Sequence, residues 1–352
     1  MVYRILVGSY TSKVFTLAFD PAVPSLRVIA SLEVGHHPSW LTAHPDDPSL
    51  IFTGLEQTDG RIIALRADEE GGLKAVGDIS SGGRDPASLV ALKEELVVGN
   101  YSSGNIFVTP ISTIEPHLPS KPSQTHAISG TGPNAGRQEA SHPHQVVYIP
   151  EHDELLVPDL GSDRTWRFIR EDGQWSLAGY VEYEPGSGPR HAVFLDGILY
   201  TLCELTSSVA THKLPALPSP PTLLSTTSSM QNPPSPLGDM LAAEIILSPP
   251  ILNVPRHLYV SNRNAPSPQG DPLAIFSLAN PDRPTLVREV RTGLKHVRGV
   301  VLRPRDGGEK SWVAAGGALG GGVKVYEVGD GGDTLTEVAQ CLLDAPTDFL
   351  WL

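Results

Sequence analysis

Cysteine is scarce in this sequence of 352 residues. The two cysteines, Cys203 and Cys341, are too few for a disulfide framework or a zinc site, and such usage is typical of a reducing cytosol. Long apolar runs are absent as well, since none approaches the ~18 consecutive residues of a membrane-spanning helix. Met1–Arg4 leads directly into a strand-like run and does not resemble a signal peptide. We therefore expect a cytoplasmic protein with no membrane partner.

Basic residues are in deficit, with 26 Lys and Arg against 39 Asp and Glu and a net charge of −13. An acidic surface repels phosphate backbones and anionic lipids, which argues against nucleic acid or a membrane as a partner. The Gly-x-Ser-x-Gly nucleophile elbow is also missing. We therefore expect chemistry without a covalent intermediate.

Glycine and proline are abundant, with 34 and 33 residues, and many short apolar runs are separated by turn-forming residues. This composition is typical of an all-β protein with frequent tight connections. No linker separates independent cores. We therefore expect residues 1–352 to form one domain.

The apolar runs follow a repeated start. Ser141–Val146 reads Ser-His-Pro-His-Gln-Val and Gly188–Val193 reads Gly-Pro-Arg-His-Ala-Val, each followed by residues of strand character. Related starts lie at positions 38, 86, 143, 189, 242, 297 and 346. A period of about 50 residues is typical of a propeller or another repeat array.

The two ends of the chain complete one another in this scheme. Tyr3–Tyr10, Val14–Asp20 and Leu26–Val34 are strand candidates that lack an innermost strand, whereas Ala345–Leu352 is a unit start with nothing outside it. Pairing them closes the ring and protects its edges. The sequence therefore predicts a seven-bladed β-propeller of four-stranded blades, closed by its N- and C-terminal strands.

One segment breaks the pattern. Residues 214–237 are rich in Pro, Ser and Thr and lose the strand periodicity. We interpret them as a mobile insertion between strands.

Within each unit the second strand returns antiparallel to the first, so its end lies beside the start of the first strand. Polar residues at both places should meet at one end of the central channel. At the starts of first strands they are His144, Arg190 and Arg298; at the ends of second strands they are Glu56, Asn100, Asp159, Glu204 and Arg263. We interpret Asn100, Asp159 and Asp163 as residues that hydrogen bond between blades.

These residue types suit acid-base chemistry on an anion. Such a reaction needs a group that accepts or delivers a proton beside a fixed cation that anchors negative charge. His144 is a candidate base because imidazole titrates near neutral pH. Arg190, Arg263 and Arg298 are candidate anion anchors. Glu204 is expected to orient His144 or to shuttle a proton.

Two other interpretations of these residues exist. An isolated His or Glu at a strand start is more often a turn residue, but several charged groups on one rim favour a site. Glu56, Asn100, Asp159 and Glu204 have the oxygen ligands of a cation site. Arginines on the same rim would repel a cation, so we expect neither a metal nor another cofactor.

Several ordered segments resemble one known family. They are Asn100–Asn105 (Asn-Tyr-Ser-Ser-Gly-Asn), His142–His144 (His-Pro-His), Asp159–Asp163 (Asp-Leu-Gly-Ser-Asp), Gly188–His191 (Gly-Pro-Arg-His), Glu204–Val209 (Glu-Leu-Thr-Ser-Ser-Val), Ser261–Arg263 (Ser-Asn-Arg) and Lys324–Glu327 (Lys-Val-Tyr-Glu). They resemble the seven-bladed lactonases, a family that contains propeller-type 6-phosphogluconolactonases and fungal 3-carboxy-cis,cis-muconate lactonizing enzymes. The resemblance covers nearly the whole chain outside residues 214–237.

The resemblance implies a catalytic set. The set proposed for the lactonizing enzymes carries over to His144, Arg190, Arg263 and Glu204. The same rim supplies the candidate substrate-binding residues, which are His142, His191, Arg298 and Glu56.

The motif forms at Gly188–His191 and Glu204–Val209 look more like the phosphogluconolactonase branch, which implies hydrolysis of a small anionic sugar lactone. Carboxymuconate cyclisation is the alternative reaction. A non-catalytic binding scaffold is the alternative of another class, although the Trp-Asp and Gly-His signatures that WD-repeat scaffolds carry in every blade do not recur here.

Overall fold

A computed structural model describes residues 1–119, 123–305 and 310–352. It contains seven antiparallel sheets of four strands each. No helix is assigned in the described ranges, and hence none there is long and apolar enough to cross a membrane.

The strand bounds follow the repeat. The chain opens with β1 (Tyr3–Ser9), β2 (Lys13–Asp20) and β3 (Ser25–Glu33). Blade 1 contains β4 (Pro38–His44), β5 (Asp47–Leu55), β6 (Arg61–Ala67) and β7 (Leu73–Ser80). Blade 2 contains β8 (Pro86–Ala91), β9 (Glu95–Asn100), β10 (Asn105–Pro110) and β11 (Gln124–Ala127). Blade 3 contains β12 (Val147–Ile149), β13 (Glu154–Asp159), β14 (Arg164–Glu171) and β15 (Gln174–Glu182).

The second half continues in the same way. Blade 4 contains β16 (Pro189–Leu195), β17 (Ile198–Cys203), β18 (Ser208–Lys213) and β19 (Thr222–Ser228). Blade 5 contains β20 (Leu241–Leu247), β21 (His257–Arg263), β22 (Pro272–Ser277) and β23 (Thr285–Arg291). Blade 6 contains β24 (Lys295–Arg303), β25 (Ser311–Gly320), β26 (Gly322–Val328) and β27 (Leu335–Cys341). Blade 7 joins β28 (Pro346–Trp351) to β1, β2 and β3.

The apolar core lies between neighbouring blades. Second strands such as β9 and β13 are buried along nearly their whole length, because a blade covers each of their two faces. One cluster, for example, packs Val97 and Ile106 of blade 2 against Leu155 and Trp166 of blade 3. This arrangement explains why second strands read as short continuous apolar runs in the sequence.

The expected ring closure is confirmed. β28 pairs antiparallel with β1, which places Ile5 opposite Trp351 and Val7 opposite Phe349. The predicted unit starts are also confirmed, because first strands begin at Pro38, Pro86, Pro189 and Pro346 and within two residues of the predicted starts in blades 5 and 6. Only β12 begins late, at Val147, after an isolated bridge from Pro143 to Asp159.

The interpretation of residues 214–237 as an insertion between strands is wrong for its central part. Residues 222–228 form β19, the outermost strand of blade 4, and pair antiparallel with β18. An outermost strand packs on one face only, so Thr- and Ser-rich sequence suffices once its backbone hydrogen bonds are made. The exposed residues 231–236 lie in the connection from β19 to β20.

Candidate active site

A β-bulge recurs where each blade meets the channel. In six blades the register between the first and second strands shifts just after the unit start, for instance between Pro38 and Trp40, Pro86 and Ser88, and Pro189 and His191. A bulge adds one residue to a strand and re-aims its side chain. Two consecutive side chains can therefore face the axis, where a regular strand would offer one.

Residues next to the unit starts line a small cavity to which all seven blades contribute. Its volume is about 10 Å³, which is close to the space needed by one water molecule. The lining residues are Ser39, Trp40, Ala87, His144, Arg190, His191, Glu244, Arg298, Thr347 and Asp348.

Glu204 lies at the centre of an arginine cluster. Its carboxylate is 2.9 Å from Nε of Arg190, 2.8 Å from a terminal nitrogen of Arg263 and 2.6 Å from one of Arg137. Although burial works in the opposite direction, the charges of Arg263, Arg190 and Arg137 hold the pKa of Glu204 down to about 2. No contact between Glu204 and His144 is recorded in the described ranges. The expectation that Glu204 orients His144 or shuttles a proton is therefore wrong, because the arginines keep it ionised and occupied.

The cluster carries excess positive charge. Burial, together with the charges of Arg298 and Arg263, lowers the pKa of Arg190 to about 9 in spite of its contact with Glu204. A single carboxylate thus faces three arginines, and Arg298 is close enough to affect the same groups. Such an arrangement favours an anionic ligand.

His144 is buried and neutral. Burial, and then the charges of Arg190, His191 and Arg298, hold its pKa well below the ordinary value. Its backbone N–H donates to the carbonyl of Pro158 over 2.9 Å, which fixes the main chain. Nδ1 has no hydrogen-bond partner in the described part of the chain. A neutral imidazole with an unused ring nitrogen has the properties of a general base.

His191 belongs to a different hydrogen-bonded chain. Nδ1 lies 2.6 Å from Oε1 of Glu244, and Nε2 lies 3.0 Å from a terminal nitrogen of Arg190. Since a guanidinium only donates, Nε2 must accept and Nδ1 must carry the proton. His191 therefore holds Arg190 in place, and its lone pair is not available to a substrate.

Two carboxyl groups, those of Glu244 and Asp348, line the same small cavity as His191. Burial raises the pKa of Glu244 to about 8 and that of Asp348 to about 7. Asp348 accepts a hydrogen bond of 2.7 Å from the backbone N–H of Leu41 and so ties blade 7 to blade 1. Neither carboxyl group was predicted as a site residue.

Arg298 differs from the other arginines because no hydrogen-bond or ion-pair partner is recorded for it within the described ranges. Its guanidinium carbon lies 5.0 Å from the ring centroid of Tyr10. The Tyr10 hydroxyl in turn donates to Glu56 over 3.4 Å. The Arg298 donors therefore remain for a ligand, and Glu56 bears on the site through Tyr10.

His142 stands apart from the channel. Its ring stacks on Tyr101 at 4.4 Å, with Nε2 3.1 Å from a carboxylate oxygen of Glu139. It does not line the central cavity. We therefore expect it to support the rim and not to bind the substrate directly.

The interpretation of Asn100 as a residue that joins blades is confirmed, because it hydrogen bonds Ser81 of the preceding connection at 2.8 and 2.9 Å. Asp159 instead bonds within its own blade, to Ser162 and Trp166. In the ranges that the structure covers, no group of three or more His, Cys, Asp and Glu side chains is placed to hold a metal ion. The absence of a metal stays a prediction.

A much larger cavity lies elsewhere. It measures about 1340 Å³ and opens near the turns that join first to second strands, with His44, Lys93, Ile111, Tyr148 and Arg170 among its lining residues. None of the predicted site residues lines it. The charged channel is therefore the candidate active site.

Some of the site residues that were not predicted occupy a repeated position in the sequence, and one does not. Glu244 and Asp348 hold the same place in their repeats as His191, two residues after the unit start, so the repeat itself contained the signal. Arg137 lies in the connection between β11 and β12, outside the repeat, and no signal marked it.

Comparisons with known proteins identify a matching family and several relatives. Residues 4–351 match the family "Lactonase, 7-bladed beta-propeller". The chain is 27% identical over 266 residues to a protein of Arthroderma benhamiae named "Probable 6-phosphogluconolactonase", an alignment that covers 73% of this chain and 65% of that one. It is 30% identical over 214 residues to the 6-phosphogluconolactonase of Bacillus subtilis, covering 58% of this chain and 60% of that one.

A solved structure agrees in fold. The periplasmic gluconolactonase of Pseudomonas aeruginosa superposes with a TM-score of 0.82 and 24% identity, covering 100% of this chain and 99% of that one. The chain spans less than two thirds of the length of the curated relatives that it matches, between 60% and 65% for the three named as 6-phosphogluconolactonases. The match of nearly the whole chain to the family shows that this protein belongs to the lactonase family of seven-bladed β-propellers.

Proposed function

We propose that the protein hydrolyses a small anionic sugar lactone of the 6-phosphogluconolactone type. The observation that carries this proposal is the excess of guanidinium groups around Glu204 and Arg298, beside a neutral histidine. An anionic lactone needs both a cation and a proton acceptor. The names of the curated relatives point to the same substrate class.

His144 acts as the general base. The water-sized cavity that it lines holds the attacking water, whose proton passes to the imidazole as the oxygen adds to the lactone carbonyl. The ring C–O bond then breaks, and the departing ring oxygen takes a proton from the imidazolium. Atoms and charges balance without a covalent enzyme intermediate.

Arg298 stabilises the oxygen that becomes negative during this addition. Its guanidinium has no carboxylate partner in the described ranges, whereas Arg190 and Arg263 contact Glu204. A cation that is already desolvated and held in place gives strong stabilisation of developing charge. This assignment moves the main anion anchor from Arg190 and Arg263 to Arg298, and leaves those two to shape the site.

The low pKa of His144 favours hydrolysis over muconate cyclisation. Cyclisation requires delivery of a proton, but His144 is unprotonated at neutral pH. Hydrolysis requires the lone pair that this state provides. We further propose a cytoplasmic location, because both cysteines are free.

The test is hydrolysis of glucono-δ-lactone and its 6-phosphate, measured above spontaneous decay, with 3-carboxy-cis,cis-muconate assayed in parallel. We expect His144→Gln to lower kcat by about 10²- to 10⁴-fold, as is typical for loss of a general base. His126→Gln, on the outer strand β11, is the matched control and should retain wild-type rates. A wild-type protein that accelerates neither lactone would overturn the proposal. Activity on the muconate alone would support the cyclase, and no activity would support the scaffold.

A further inference from the structure

Arg137 is the most solvent-accessible of the arginines that contact Glu204. Its side chain is 37% exposed, against 2% for Arg190 and 5% for Arg263. Because one end of its guanidinium contacts Glu204 and the rest reaches solvent, Arg137 lies at the mouth of the channel, whereas the other two lie deeper.

The connection that carries Arg137 is firmly held. Its neighbour Gln138 is fully buried and donates hydrogen bonds of 2.9 Å to the carbonyl of Leu160 and 2.8 Å to Asp163. The backbone N–H of Asn134 donates to the same Gln138 side chain over 3.1 Å. Arg137 is therefore positioned before a ligand arrives, which reduces the entropy lost on binding.

The guanidinium has donors to spare. Across the residues that the structure describes, its hydrogen-bond acceptor is Glu204, and the Tyr101 side chain lies nearby. A guanidinium carries five N–H donors in a planar fork that matches a phosphate or carboxylate. The remaining donors are available to an anion at the channel mouth.

The position of the base orients the substrate. The lactone carbonyl must lie beside His144 and Arg298, both of which line the central cavity. In a 6-phosphorylated aldonolactone the phosphate is at the opposite end of the molecule from the carbonyl. With the carbonyl turned towards this cavity, the phosphate points away from it, towards the part of the channel where Arg137 is exposed.

We propose that Arg137 forms a phosphate-binding subsite that makes the enzyme prefer phosphorylated over unphosphorylated sugar lactones. This inference rests on the proposed function, because it takes His144 and Arg298 as the groups beside the carbonyl. Arg137 acts here as a specificity residue that touches the far end of the substrate and takes no part in proton transfer.

The test compares kcat/KM for glucono-δ-lactone and for its 6-phosphate in the wild type and in Arg137→Gln. Charge-assisted hydrogen bonds are strong enough that we expect a loss of about 10- to 100-fold on the phosphorylated lactone, mostly through KM, and less than about 3-fold on the other. Arg137→Lys should recover part of the loss. Inorganic phosphate should inhibit hydrolysis of the unphosphorylated lactone less well in Arg137→Gln than in the wild type.

Arg84→Gln is the matched control. Arg84 is an exposed arginine of a neighbouring connection on the same end of the propeller, donates to the carbonyl of Ser102, and does not contact Glu204. It should leave the ratio of the two kcat/KM values unchanged. Equal losses on both lactones in Arg137→Gln would show a structural effect through Glu204 and overturn the inference alone. A wild type that hydrolyses neither lactone would overturn the proposed function, and the subsite with it.

Discussion

Oε1 of Glu244 lies 2.6 Å from Nδ1 of His191, and the opposite ring nitrogen faces Arg190. Oε1 also accepts the backbone N–H of Ile245, so a proton on Glu244 belongs on its other oxygen. The pKa of about 8 means that this carboxyl group is largely protonated at neutral pH. A neutral acid therefore supports the tautomer of His191, and removing its proton would add a buried negative charge.

Glu244 should make the protein less stable as the pH rises. Its pKa is about 8 in the folded protein against an ordinary value of 4.5. The folded state therefore holds a proton that the unfolded state releases, so the stabilisation is complete below pH 4.5 and is lost as the pH rises through 8. We expect the difference in unfolding free energy between wild type and Glu244→Gln to fall across this window, by at most about 1.4 kcal/mol per pH unit.

Chemical denaturation at intervals from pH 5 to pH 9 measures this difference. Glu171→Gln, an exposed carboxyl-to-amide change on β14, is the control. The pKa of Asp348 is also raised, to about 7, so the unfolding free energy of Glu244→Gln itself should still fall somewhat as the pH rises. A difference that rises with pH would contradict the assignment of a protonated Glu244.

The rate should not follow an ordinary histidine titration. Burial and the neighbouring positive charges keep His144 unprotonated below its usual range, so kcat/KM should stay near its maximum as the pH falls through 6.5.

Initial rates corrected for spontaneous hydrolysis at each pH provide the measurement. Arg298→Gln should raise the pKa of His144, because it removes one of the positive charges that lower it. The fall in kcat/KM on the acidic side of the pH-rate profile should therefore move to higher pH. An acidic limb centred at pH 6.5 in the wild type would argue that another group is the base.

Glu204 should matter most for stability. Glu204→Gln leaves three arginines without their shared carboxylate in a buried cluster, and loss of one partner of a buried ion pair typically costs about 3–5 kcal/mol. The exposed pair of Glu182 with Arg164, 3.9 Å apart, offers the control. Glu182→Gln should change the unfolding free energy by less than about 1 kcal/mol. Equal stability of the two variants in denaturant titrations would contradict the charge cluster.

Ring closure should be far more important than the exposed connection from β19 to β20. Deleting residues 345–352 removes β28, its pairing with β1 and the hydrogen bond from Leu41 to Asp348, and should lower the melting temperature of the whole protein. Replacing residues 231–236 with a short Gly-Ser link changes only exposed chain and should leave melting within a few degrees. Calorimetry of both variants separates these outcomes. A truncated protein that melts like the full chain would contradict the importance of the closing strand.

The repeat was predictable because its signals are local. Prolines and turn residues precede apolar runs at Pro38, Pro86 and Pro189, and strands begin there as predicted. The same logic correctly brought Arg190 and Arg263 together around one end of the channel. Charged residues at equivalent positions of the blades all lie beside the central channel, so the fold alone brings them close together.

The partners of each side chain were harder to predict. The bulge that turns both Arg190 and His191 to the axis leaves no mark in composition or periodicity, so Glu204 was assigned to His144 in place of the arginines. Arg137 comes from a connection whose path depends on the buried Gln138. β19 was missed because its stability comes from pairing with β18 and not from apolar content.

The recurring bulge also makes the channel modular. Each blade presents one or two side chains to the cavity within two residues of its unit start, and these include a histidine in blade 3, an arginine in blades 4 and 6, and a carboxyl group in blades 5 and 7. A change at one of these positions alters the lining of the channel without re-routing the backbone of any other blade. Substrate preference in such a ring can therefore be altered one blade at a time, by single substitutions in the channel lining that leave the propeller scaffold unchanged.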